Sequence, residues 1–180
     1  ETLEPRETLL KEMHLTKDLY LASVLINEQG LHIKRTLLVK NELDWEWTRV
    51  IHEQIHCTKE IQASCLNAIV RATYQDGHRN QDRNKWMKDA IVLEKALVSS
   101  PNDADYLFYL AQSYWNAQEY TLALENYEKR ASIQGWEEQT FWALYMVALL
   151  QEMHHFPFQT IFHSFEKAFL FRPTRAEPLY

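Results

Sequence analysis

Two kinds of hydrophobic spacing divide the chain near residue 80. In the front part, residues 19–26 and 33–39 are short runs rich in β-branched and other apolar residues, separated by Asn27-Glu28-Gln29-Gly30, which has turn chemistry. That pattern predicts a hairpin. Residues 45–55 and 61–74 form two further apolar and aromatic segments, and their spacing fits a strand and a helix equally well. Ahead of all four, Pro5 followed by apolar residues at helical spacing over 6–13 predicts one short helix, because proline is tolerated in a first turn. Asp76-Gly77-His78-Arg79-Asn80 is a loop by composition and marks the boundary between an α/β-like front, residues 1–80, and an all-helical back, residues 81–180.

Behind that loop the hydrophobic period lengthens to that of a helix. Trp86, Ala90, Leu93, Ala96 and Leu97 keep one face as far as Ser99-Ser100-Pro101, where the proline forbids continuation. Small residues then recur where paired helices must approach closely: Ala111 with Leu110 and Tyr114 in a first helix, Ala123 with Tyr127 in a second, and Ala168 with Phe165, ahead of Pro173, in another second. Pro101 and Gly135 close successive units 34 positions apart, the tetratricopeptide period. Gly135 to Pro173 spans 38 positions, which predicts about one extra turn near Met153-His154-His155. Glu177-Pro178-Leu179-Tyr180 falls where another first helix would begin, so the pattern reads as an array cut short.

Composition narrows the classes. Among 180 residues only three are Gly and five Pro, which favours long helices with short connections over a turn-rich sheet fold. The formal net charge of −6 argues against an extended nucleic-acid-binding surface. Cys57 and Cys65 are too few for a disulfide-stapled domain and fit a reducing compartment. With no stretch of about 20 apolar residues and no basic-then-apolar start, the expectation is a cytoplasmic chain without a transmembrane segment.

His52-Glu53-Gln54-Ile55-His56 matches H-E-x-x-H, which on a helix would set two imidazoles on one face for zinc with a carboxylate as general base. A zinc hydrolase also needs a third ligand, for which Glu60 or His78 are the candidates, and it needs the stretch to be helical. The plain alternative is a pair of histidines at an element end making ordinary hydrogen bonds.

The same residues carry a resemblance. Leu37-Leu38-Val39-Lys40-Asn41, Trp45-Glu46-Trp47 and Val50-Ile51-His52-Glu53 resemble the late part of the catalytic domain of family-2 (GT-A type) glycosyltransferases with a tetratricopeptide tail; Arg49 stands where that family usually has Gly. Asp76-Gly77-His78-Arg79-Asn80 with Lys85 and Asp89, the stretch from Asn102 through Leu107-Phe108-Tyr109-Leu110-Ala111-Gln112-Ser113-Tyr114, and Arg172-Pro173-Thr174-Arg175-Ala176-Glu177-Pro178-Leu179-Tyr180 are similar to further motifs of that family. The likeness covers essentially the whole chain, and Glu1-Thr2-Leu3 resembles the residues just after the family's D-x-D signature.

The resemblance implies an α+β architecture: a small sheet-containing remnant of a nucleotide-sugar transferase domain, then an all-α helical repeat array. It implies a nucleotide-sugar donor and a protein or glycan acceptor, with a divalent metal (Mn²⁺ or Mg²⁺) in the intact protein. It assigns His52 to the metal shell or the diphosphate, Glu53 to orienting that histidine or to base catalysis, Trp45 and Trp47 to a wall on which a sugar or base stacks, and Arg79 to phosphate. Because the donor-binding half would lie upstream, the chain by itself is expected to be inactive. Two other readings stand beside this one: a repeat module binding a protein partner along its helical groove with no chemistry of its own, and the zinc hydrolase.

Overall fold

The computed structural model describes residues 2–4, 15–25, 32–71 and 82–180. The short helix expected over 6–13, the turn at 27–30 and the loop at 76–80 lie outside the described residues. The chain is of mixed α and β type and divides into two compact units, Glu1–Asp82 and Arg83–Tyr180.

In the first unit, strands β1 (Thr2–Glu4), β2 (Leu19–Leu25), β3 (His32–Val39) and β6 (Ala63–Arg71) form one sheet in the order β1-β6-β2-β3. The two runs predicted as a hairpin pair antiparallel as β2 and β3, from Leu19 opposite Val39 to Leu25 opposite His32. Alternation makes one face of β2 apolar: Tyr20, Ala22 and Val24 are buried, packing with Leu66 and Val70 of β6 and against Leu38 and Ile33 of β3. The β2–β6 pairing is parallel, and its register shifts between Leu21 and Ser23. Polar contacts fix the sheet's end. Gln62 donates its backbone N–H to Asp18 Oδ2 at 3.0 Å, while Lys40 N–H donates to Asp18 O at 2.8 Å, so a single residue ties β2 to both neighbours. The ambiguous 45–55 segment is extended: β4 (Trp45–Thr48) and β5 (Gln54–Cys57) make a separate two-stranded ribbon.

The second unit is five helices: α1 (Lys85–Ser99), α2 (Ala104–Asn116), α3 (Tyr120–Ala131), α4 (Glu137–Met153) and α5 (Phe158–Phe171). Each packs on the next in sequence, and connections of three to five residues make neighbours antiparallel. Local chemistry sets the ends. Pro101 follows the last turn of α1, and Asp103 caps α2 by accepting from Tyr106 N–H at 2.9 Å. Glu137 and Glu138 open α4 and Lys129 and Arg130 close α3, each matching the helix dipole. The small residues singled out by the repeat pattern, Ala111, Ala123 and Ala168, are fully buried. The extra turn lies in α4, 17 residues long against 13 in α2, and it ends at Met153. Buried residues, including Phe141, Leu144, Met146, Leu150 and Gln151, span more than half of the circumference of α4, which packs on both α3 and α5.

Two polar clusters brace the array. Arg130 is fully buried at the α3–α4 connection, where its guanidinium donates to Ile133 O at 3.1 Å, Thr140 Oγ1 at 3.2 Å, Trp136 O at 3.3 Å and Gln139 Oε1 at 3.4 Å. Burial pulls its pKa below the ordinary guanidinium value, and the charge of Asp105 partly offsets this. In the same first turn of α4, Glu138 accepts from Arg172 and, at 2.5 Å, from Arg175, which also bonds Glu177 and lies 4.7 Å over the Phe141 ring. Desolvation pushes the Glu138 carboxyl up, but the hydrogen bonds from Arg175 and Arg172 outweigh it and hold the group below its ordinary value. No helix among the described residues is long and apolar enough to cross a membrane.

Candidate functional site

The β4–β5 ribbon holds four of the five residues assigned by the sequence. Its antiparallel register sets Trp45 opposite Cys57, Glu46 opposite His56, Trp47 opposite Ile55 and Thr48 opposite Gln54. Because side chains alternate, Trp45, Trp47, Ile55 and Cys57 share one face, and Glu46, Thr48, Gln54 and His56 share the other. The indole of Trp45 is held by its Nε1, which donates to Lys40 O at 2.8 Å, and it is partly covered. Trp47 is 72% exposed. An exposed aromatic ring beside a fixed one forms an apolar strip about 7 Å long, from the roughly 3.4 Å rise per strand residue. Such a strip suits the C–H face of a sugar ring.

His52 and Glu53 lie in the connection between the two strands, both on the surface. That connection turns through two residues with positive φ, Arg49 at 71° and His52 at 53°, and is pinned by buried Ile51 and by Thr48 Oγ1 donating to Gln54 O at 3.1 Å. Positive φ at a non-glycine residue is uncommon and costs on the order of 1 kcal/mol or more. Arg79, the fifth assigned residue, lies outside the described residues.

The H-E-x-x-H stretch is therefore a turn followed by β5, and its histidines do not share a helical face. The physical reason is pairing: Ile55 and Cys57 alternate with Gln54 and His56, and this period-two pattern matches the Trp-x-Trp strand opposite it. Among the described residues, no group of three or more His, Cys, Asp or Glu side chains is placed to hold a metal ion. His52 would supply one ligand at most, so these residues do not by themselves fit a divalent metal. Ile55 and Cys57, which complete the tryptophan face, were not singled out from the sequence, although the spacing of Ile55 and Cys57 repeats that of Trp45 and Trp47. No protein-family model matches the sequence, and no curated protein shows a significant match to it.

Proposed function

We propose that the chain is the acceptor-side part of a GT-A type, family-2 glycosyltransferase, joined to a tetratricopeptide-like helical array that positions a protein or glycan acceptor. The observation that carries this reading is the pair Trp45 and Trp47 on one face of the β4–β5 ribbon, with Trp47 open to solvent. A second observation supports it: Arg49, which stands where the resembled family usually has glycine, has the positive φ that glycine adopts without strain. In this reading the tryptophan face receives a sugar, Glu53 deprotonates the acceptor hydroxyl or orients His52, His52 approaches the diphosphate, and Arg79 contacts phosphate. The Mn²⁺ or Mg²⁺ belongs to the intact protein, with its remaining ligands supplied from outside this chain.

The test has two parts. The coding sequence upstream of Glu1 should contain an Asp-x-Asp, and the polypeptide that includes it should hydrolyse a nucleotide sugar in a manner abolished by His52→Ala. The 180-residue chain should show a tryptophan fluorescence change with an oligosaccharide acceptor that Trp47→Ala removes, while stability stays within about 0.5 kcal/mol because the ring is exposed. If the longer polypeptide neither binds nor hydrolyses any nucleotide sugar, the reading fails. Retention of a peptide partner by the chain would then favour the non-catalytic interaction module, which the regular packing of each helix on the next also supports.

A further inference from the structure

Strand β3 is an outer strand of the four-stranded sheet: β2 pairs with one of its edges, and among the described residues no backbone hydrogen bond leaves the other. An edge of eight residues runs about 27 Å, and alternate residues turn their N–H and C=O groups outward along it. Such an edge can accept one more strand. Lys34, Arg35, Thr36 and Leu37 are all exposed. Because successive side chains point to opposite faces, both faces of the sheet are open along this stretch of β3.

The centre of the edge is cationic and uncompensated. Across the ladder Lys34 faces Ser23 and Arg35 faces Ala22, so β2 supplies no carboxylate to either. Among the described residues neither cation takes part in an ion pair or a side-chain hydrogen bond. In a chain of net charge −6 this is a local reversal of sign, felt within about 8–10 Å in physiological salt. The charges decide which strand can be added. Two β3 strands paired antiparallel about their centres would bring their lysines and arginines opposite or diagonal to one another, which is destabilising. That repulsion works against a second copy of the chain, and the same cations attract an acidic strand.

We propose that β3 is a docking edge for an extended acidic segment of a protein partner, which adds as a further strand with carboxylates on adjacent residues, one beside Lys34 and the other beside Arg35. Main-chain hydrogen bonds hold the segment, and the two cations, on opposite faces, select its charge and its register. No residue assigned to sugar, phosphate or metal takes part, so the proposal stands apart from the glycosyltransferase reading.

Fluorescence anisotropy with the labelled peptide Thr-Val-Val-Thr-Glu-Glu-Val-Thr tests it, because an antiparallel alignment along β3 sets the two glutamates opposite Arg35 and Lys34. The 180-residue chain should bind this peptide with a Kd below about 1 mM, and the same peptide with lysines for glutamates about tenfold more weakly. Methylating alternate peptide nitrogens should abolish binding in one of the two frames and spare it in the other, since only every second N–H meets β3. A chain carrying Lys34→Glu and Arg35→Glu together should bind the glutamate peptide about tenfold more weakly and the lysine peptide about tenfold more tightly. Both positions are exposed, and a gained ligand is not an effect of misfolding. The proposal is overturned by no binding at about 1 mM, by equal loss in both methylation frames, or by a charge preference that does not reverse. Self-association of the parent chain that the double substitution alters overturns it as well, in favour of a second copy on this edge.

Discussion

Gly135→Ala should destabilise the helical unit, against the usual direction of that substitution. Replacing glycine with alanine normally stabilises by about 0.4–1 kcal/mol, because the unfolded chain has fewer conformations to lose. Gly135 does not occupy the positive-φ region, so backbone strain does not enter. Space does. A Cβ built there would lie 3.0 Å from Arg130 Nη2 and 3.2 Å from Ala104 Cβ. The arginine has no freedom to yield, because its guanidinium is fully buried and bonded to the carbonyls of Ile133 and Trp136 and to Thr140 and Gln139. Ala104 is the first residue of α2 and moves only with that helix. Overpacking of this kind costs about 1–3 kcal/mol, so the net loss should be about 1–2 kcal/mol. For a unit the size of Arg83–Tyr180 this is a fall in Tm of roughly 5–15 °C, read by circular dichroism at the helical band. The same substitution in an Arg130→Met background should cost less by about 1 kcal/mol, since neighbouring sites couple. A Gly135→Ala protein that melts at or above the parent temperature, or a loss of the same size in both backgrounds, would refute the reasoning.

Three further outcomes follow from the helical unit. Phe141→Ala removes a fully buried ring that also lies beneath Arg175, and should cost about 3–5 kcal/mol in denaturant unfolding. Tyr114→Phe removes the 2.6 Å hydrogen bond to Glu94 and should cost about 1 kcal/mol; burial and that hydrogen bond push the Tyr114 phenol up, so alkaline titration should leave it protonated after exposed tyrosines have ionised. The Glu138 and Glu177 carboxyls are both held below the ordinary value of 4.5, the latter by the Arg175 hydrogen bond. Their contribution is therefore complete above about pH 4.5 and lost as pH falls through the lower folded values, and Glu138→Gln should flatten this acid limb of Tm against pH.

The parts of the fold written in local periodicity were legible. The β-branched, apolar runs at residues 19–26 and 33–39 with turn chemistry between them led to the β2–β3 pairing, and Pro101 with the alanines at 111, 123 and 168 located helix ends and close approaches. The stretch around Trp45 and His52 was not assignable because the spacing of its apolar residues fits a strand and a helix equally well, and cross-strand pairing, which no single run records, decides its state. The parallel pairing of β2 with β6 was hidden for the same reason, since no short-range signal records which distant strand is adjacent. The tryptophan face follows from Trp-x-Trp directly. Gln151 offered no such clue: it is buried and accepts from Ser164 of α5, and that contact depends on which helices flank α4.

The order β1-β6-β2-β3 sets the last strand of the first unit in the middle of its sheet, between two strands that precede it. During synthesis, β1 and one edge of β2 must wait until residues 63–71 have left the ribosome, leaving open backbone groups able to pair with another nascent chain. Within this sheet only the β2–β3 hairpin can form early, so its assembly is gated by translation of an inner strand.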